Sequence, residues 1–259
     1  MPRDNGAVIH DDRRRAGSFG EAAEQYERAR PTYPDELVDA LMADRPLQVL
    51  DVGCGTGKAG RLFAARGCEV LGVEPDPRMA EVARDHGLGV EVATFEEWDA
   101  AGRTFDLVIS GQAWHWVDPA IGPAKAASVL RPRRRLGVFW NFGTHDPTTS
   151  AVFGAVYERE APELRQSYAL GTLPAEESEL RAVRNSGCFD PVEIVEFHWE
   201  RRYTRDEWLD QLPTHSDHRV LPERQRGALL KAVGEAIDGF GGSVLVHYRT
   251  KLISGTRAR

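Results

Sequence analysis

The chain has little cysteine: three residues, Cys54, Cys68 and Cys188, in a chain of 259, with no metal-ligand spacing among them. An odd number cannot all pair within one chain, so a reducing, cytoplasmic setting and no metal site are expected. No stretch approaches the ~18 apolar residues that a membrane-spanning helix needs. The N-terminus lacks the apolar core of a secretion signal. Basic charge is also scarce, 33 Lys and Arg against 40 Asp and Glu, for a formal charge of −7. Phosphate backbones select a basic face, so nucleic acid is not an expected partner. Two local runs dissent, Arg13-Arg14-Arg15 and Arg131-Pro132-Arg133-Arg134-Arg135. The first sits in a polar stretch, residues 1–17, expected to be flexible. The second is read as a solvated turn before a strand, with an anion-attracting rim as the alternative. Internal repeats and low-complexity tracts are absent.

What is present is an ordinary globular composition, 41% hydrophobic and 28% charged, in a chain long enough for one large α/β domain with a small inserted cap. Strand and helix signals alternate through its middle. Strands are expected at 48–51, 69–73, 90–93, 105–110 and 136–140. Helices are expected at 58–66, from Asp76-Pro77 to Gly87, and from Asp118-Pro119 towards Leu130. Such repetition means parallel strands with right-handed crossovers. Later signals are a strand at 191–199, a capping box at Thr204-Arg205-Asp206-Glu207, a helix at 222–240 and a strand at 243–253. The expected fold is α/β, a doubly wound, mostly parallel seven-stranded sheet. One domain, 18–259, should carry helical lid elements at about 18–34, 147–186 and 204–240. The first of these opens with a capping box at Ser18-Phe19-Gly20-Glu21.

The densest signal is Val49-Leu50-Asp51-Val52-Gly53-Cys54-Gly55-Thr56-Gly57, followed by Val70-Leu71-Gly72-Val73-Glu74. An apolar run ends in an aspartate and opens into a loop with glycine at every second position. A second apolar run ends in a glutamate, suited to accept hydrogen bonds from ribose hydroxyls. Gly55-Thr56-Gly57-Lys58-Ala59-Gly60 matches the dinucleotide pattern, so a nicotinamide-dependent oxidoreductase is one reading. A P-loop fails, because Ala59 offers no hydroxyl for magnesium. The better register is Asp51-x-Gly53-x-Gly55-x-Gly57, with an acid at the strand tip. A carboxylate there suits a ligand carrying the cationic amino group of an amino acid.

On these motifs the chain resembles the class I S-adenosylmethionine-dependent methyltransferases. Phe105-Asp106-Leu107-Val108-Ile109-Ser110 and Gly72-Val73-Glu74-Pro75 belong to the same pattern. Ser18-Phe19-Gly20 with Tyr26, Arg30-Pro31-Thr32-Tyr33-Pro34, Gln112-Ala113-Trp114-His115-Trp116 and Leu212-Pro213-Thr214-His215-Ser216 are similar to the small-molecule group that includes trans-aconitate methyltransferase. The resemblance implies S-adenosylmethionine as cofactor. Gly53, Gly55 and Gly57 would pass beside its methionine part, with Asp51 near the amino group. Glu74 would hold the ribose hydroxyls, Pro75 would lie near the adenine, and Thr94 and Phe95 would flank that ring. Ser110, Gln112 and Ala113 would meet the methionine backbone. Tyr26 and Arg30 would close over the cofactor, the arginine on its carboxylate. Relatives commonly carry glycines where this chain has Arg133 and Arg134.

Methyl transfer from a sulfonium needs alignment and exclusion of water more than a catalytic side chain. Trp114, Trp116 and Trp140, at strand ends, are expected to wall an acceptor pocket. His115 is the candidate general base, with a loop-fixing hydrogen bond as its alternative. His215, on the expected lid, is a candidate acceptor contact, with packing as its alternative. A carboxylate acceptor would need no base. The expected function is methyl transfer to a small organic molecule, oxygen preferred. The alternatives are the nicotinamide enzyme and a non-catalytic S-adenosylmethionine-binding protein, and a monomer is the default state.

Overall fold

The computed structural model describes residues 23–164 and 175–258. The expected flexible stretch 1–17 and the capping box at Ser18–Glu21 lie outside the described residues, as do 165–174 of the expected lid segment. The chain enters through α1 (Ala23–Ala29) and α2 (Asp35–Met42). Pro31 and Pro34 lie between them, where fixed φ and missing N–H groups punctuate the backbone. The alternating section follows: β1 (Gln48–Val52), α3 (Gly60–Ala64), β2 (Glu69–Glu74), α4 (Pro77–Asp85), β3 (Gly89–Val92) and β4 (Phe105–Gly111). A 3₁₀ turn at Trp114–Trp116 leads to α5 (Gly122–Val129) and β5 (Leu130–Thr144). Then come α6 (Pro147–Glu160), α7 (Ala175–Asn185), β6 (Phe189–Thr204), α8 (Arg205–Gln211), α9 (Ser216–Arg219), α10 (Glu223–Gly239) and β7 (Ser243–Arg257).

All seven strands join one sheet in the order β3-β2-β1-β4-β5-β7-β6. β1 to β5 pair in parallel, whereas β7 runs antiparallel to both β5 and β6. The central strands are apolar because both faces are covered: six of the seven residues of β4 are buried. One apolar cluster holds Leu50, Val108, Trp114 and Val138, and a second holds Leu37, Val49, Ile109 and Phe139. A third, around Phe153, Tyr203, Trp208 and Val233, unites α6, α8 and α10 with the ends of β6 and β7. No helix among the described residues is long and apolar enough to cross a membrane.

Three local expectations are corrected. The helix foreseen from Asp118 begins at Gly122, because Asp118 makes a turn instead: its Oδ1 accepts from Ala120 N at 2.8 Å and its carbonyl from Gly122 N at 2.7 Å. The helix foreseen at 58–66 is helical only over Gly60–Ala64. The arginine run is not a solvated loop. Arg131 and Arg134 reach Asp106 at 2.7 and 3.4 Å, and Arg135 reaches Asp44 at 2.7 Å. Asp106 also accepts from Leu47 N and Gln48 N, so it is a structural anchor. Arg133 takes φ +62° within β5, the left-handed conformation that favours glycine.

The order of the strands positions the site. From β1 the chain winds outward through β2 and β3, then returns to β4 on the other side of β1. The crevice between the carboxyl ends of β1 and β4 is where open α/β sheets bind ligands.

Candidate active site

A cavity of about 840 Å³ opens at that crevice. Its floor is the loop after β1. Gly53 and Gly55 have φ of +65° and +55°, and a Cβ on Gly53 would stand 2.5 Å from Ala113 Cβ. Glycine is therefore required for the loops after β1 and β4 to meet. The strand ends at Val52, directly before Gly53 and well short of Gly55. That ending favours the register Asp51-x-Gly53-x-Gly55-x-Gly57 over the dinucleotide pattern. Cys54 is buried, its Sγ 2.5 Å from where a Gly72 Cβ would stand, so it fills a notch rather than serving as a nucleophile.

Six carboxyl groups line the cavity, and two of them, Asp51 and Glu74, have pKa values raised by burial. Asp51 is fully buried; Oδ2 accepts from Gly60 N at 2.9 Å, and buried Oδ1 has no hydrogen-bond partner. Burial pushes its pKa up to about 7, against the Gly60 hydrogen bond, and the charge of Glu74 adds to the rise. Glu74 accepts from Gly55 N at 2.8 Å and Asp76 N at 3.0 Å, and burial raises it to about 7 as well. Arg30, Lys58 and Arg78 share the lining, but the two desolvated carboxyls at the tips of β1 and β2 favour a cationic group beside them. S-adenosylmethionine carries an ammonium and a sulfonium, so these residues fit it.

The lining includes most of the residues expected at a cofactor site. Asp51, Gly53, Gly55, Glu74 and Pro75 are there, with Thr94 and Phe95 after β3 and Gln112 and Ala113 after β4. Tyr26 and Arg30 line it from α1 and the residue after it. Arg30 bonds only Thr214 O, at 2.9 Å; its Nε is buried without a partner, and no carboxylate among the described residues neutralises it. Gly57 and Ser110 stand back from the wall. Gly57 makes the tight turn at φ +83° against Leu88 and Ala83, and Ser110 Oγ donates to Val52 O at 2.8 Å, tying β4 to β1.

The expected aromatic wall is divided. Trp116 lines the cavity. Trp114 does not: it is fully buried beside Phe95, ring centroids 6.0 Å apart, because the 3₁₀ turn sends it inward. Trp140 is buried too, and its Nε1 donates to His115 Nδ1 at 3.2 Å. A neutral imidazole that accepts at Nδ1 carries its proton on Nε2. His115 itself does not line the cavity, and its bond to Trp140 is the loop-fixing hydrogen bond expected as its alternative role. His215 is half-buried behind Arg30 and lies off the cavity wall. Burial, and after it the charge of Arg30, holds its ring well below the usual imidazole range.

Three site residues were missed. Tyr33 and Asn141 line the cavity, and Asn141 Nδ2 donates to Thr32 O at 2.9 Å, bracing that segment against β5. Glu27 accepts from Thr56 Oγ1 at 2.6 Å, pairs with Arg61 and lies 3.7 Å from Lys58 Nζ, joining α1 to the glycine loop. Tyr33 lies within a motif already singled out, Asn141 follows Trp140 at the end of β5 where ligands are expected, and Glu27 has no local signal.

Residues 49–133 match the family described as "Methyltransferase domain". An uncharacterized methyltransferase of Mycobacterium tuberculosis is 41% identical over 158 residues, 59% of this chain and 64% of that protein. The match thus spans less than two thirds of the relative. A trans-aconitate 2-methyltransferase of Mycobacterium ulcerans is 36% identical over 92 residues, 35% of this chain and 34% of that protein. Among solved structures, a protein described as a type II methyltransferase from Anaeromyxobacter dehalogenans shares the fold, with TM-score 0.66, 23% identity and coverage of 88% of this chain and 97% of that one. Motif, sheet and relatives agree that residues 49–133 match a methyltransferase domain, set in a fold shared with solved methyltransferases.

Proposed function

We propose that the protein transfers the methyl group of S-adenosylmethionine to a small organic acceptor, with oxygen preferred over nitrogen or carbon as the attacked atom. One observation carries the reading: the unpartnered Oδ1 of Asp51, buried at the strand tip in a cavity floored by glycines. An ammonium is the partner that oxygen lacks. Asp51 would hold the amino group of the cofactor and Arg30 its carboxylate, while Glu74 would take the ribose hydroxyls beside the two N–H bonds it already accepts. Pro75, Thr94 and Phe95 would enclose the adenine. Tyr26 and Trp116 bring aromatic rings to the cavity, and such rings attract cations.

When bound, the cofactor supplies an electrophilic methyl group on a sulfonium leaving group. The protein's task is then to align the acceptor and exclude water, worth on the order of 7–11 kcal/mol of barrier. With Nδ1 of His115 taken by Trp140, the reading favours an acceptor oxygen that is already ionised, such as a carboxylate, which needs no base. The likeness to a trans-aconitate methyltransferase supports the same preference. The parts of the 18–34, 147–186 and 204–240 segments that are described, chiefly α1, α6, α8 and α10, would act as a lid over the strand tips. The formal charge of −7 supports a small-molecule acceptor over nucleic acid, free thiols support a cytoplasmic setting, and a monomer stays the default. The reading is tested with methyl-labelled cofactor and panels of small carboxylic acids, phenols and amines. Label in a base-labile methyl ester is expected; label appearing only in amines would contradict the oxygen preference.

A further inference from the structure

Tyr33 brings to the cavity wall a hydroxyl whose ring is held in place by β5. Its residue is 8% exposed, and its ring packs edge-on against Phe139 with centroids 4.7 Å apart at 82°. The Oη lies over the tip of β4, 2.6 Å from where a Gly111 Cβ would stand, so glycine at 111 is what makes room for it. That hydroxyl has no hydrogen-bond partner among the described residues, although Tyr33 lines the cavity. The hydroxyl is therefore open to the cavity and free to bond a guest there.

The surroundings say what would meet it. Tyr26, Asp51 and Arg30 are the groups whose charge Tyr33 feels, and burial drives its own pKa well up, so the phenol keeps its proton. Tyr33 stands over the tips of β4 and β5, its hydroxyl above Gly111 and its ring on Phe139, whereas Glu74, Pro75 and Phe95 follow β2 and β3 on the other side of β1. On the methyltransferase reading, which this step presupposes, Glu74, Pro75 and Phe95 take the adenosine, and Asp51 and Arg30 take the amino and carboxylate groups. Tyr33 is left facing the space where methyl group and acceptor meet.

We propose that Tyr33 is a contact residue at the point of transfer, its hydroxyl meeting whatever group occupies the methyl position and orienting the acceptor atom beside it. The phenyl ring supplies the packing and the hydroxyl supplies the contact, so Tyr33→Phe separates the two. Sinefungin, which carries an amine where S-adenosylmethionine carries its methyl group, probes that point without any acceptor; S-adenosylhomocysteine, which has nothing there, is the control.

Calorimetric titration of wild type and Tyr33→Phe with both ligands decides the matter. The variant is expected to lose roughly ten-fold or more in affinity for sinefungin, the loss usual for a hydrogen bond to a charged group, and to bind S-adenosylhomocysteine as wild type does. The homocysteine result also shows that the variant folds. Equal loss for both ligands would make Tyr33 a support of the shared amino acid moiety or of the fold, and no loss for either would leave its hydroxyl without a role; each overturns the assignment alone. Wild-type protein that binds neither ligand would overturn the methyltransferase reading with it.

Discussion

Replacing Asp51 by Asn should make the protein more stable and its cofactor site worse. The carboxyl is fully buried, and its pKa stands at about 7 rather than 3.8. A group whose folded pKa is raised contributes stability below its unfolded pKa and loses it as pH rises through the folded value. For Asp51 that window runs from about 4 to about 7. Three units correspond to an upper bound of ~4 kcal/mol at pH 8, and relaxation around the charge reduces it to on the order of 2–4 kcal/mol. Asn keeps an amide oxygen for Gly60 N and removes the charge. At ~2–4 °C per kcal/mol for a chain of this size, the variant should melt roughly 4–16 °C higher at pH 8. At pH 4 the two proteins should melt nearly together. The same change puts an amide where an ammonium needs an anion, so S-adenosylhomocysteine should bind ~10–150-fold more weakly. Methylthioadenosine, which lacks the amino acid, should bind about equally to both. Scanning calorimetry at the two pH values and titration with the two ligands check this. A variant no more stable at pH 8, or one that loses both ligands equally, would refute the reasoning.

Two further predictions use single residues. Arg30→Ala should weaken S-adenosylhomocysteine at least ~10-fold and leave methylthioadenosine nearly unchanged, because only the former presents a carboxylate to the unpartnered guanidinium; equal loss of both in titration would assign Arg30 to the fold. Arg133→Gly should raise stability by ~0.5–1 kcal/mol, since the residue is exposed and sits at φ +62° in β5. Thermal melts check this, and a fall in melting temperature would show that Arg133 makes a contact the φ argument overlooks.

The parts of the site that were legible are those written in short-range spacing. Asp51, Gly53, Gly55 and Glu74 lie at the ends of adjacent apolar runs, and parallel pairing of β1 with β2 brings those ends together. Side-chain direction at a strand end was not legible. Trp114 and Trp116 are two residues apart, and only the 3₁₀ turn decides that the first enters the core and the second faces the cavity. Trp140 and His115 were both foreseen at the site, but the hydrogen bond that fixes the imidazole tautomer spans two strands and has no sequence signature. Asn141 bonds Thr32 across 109 positions of chain, a distance no local pattern encodes. The helix boundary near Asp118 moved because a proline after aspartate suits a turn as well as a helix start.

The most direct test of the account is calorimetric titration with S-adenosylhomocysteine and, in parallel, NAD, on wild type and Glu74→Ala. Glu74 is chosen because it stands at the tip of β2 and braces Gly55 N and Asp76 N around the cavity. The account predicts that wild type binds S-adenosylhomocysteine and not NAD, and that the substitution weakens binding by ten-fold or more. Preferential binding of NAD would mean that the glycine loop serves a dinucleotide, and the methyl-transfer proposal would be contradicted.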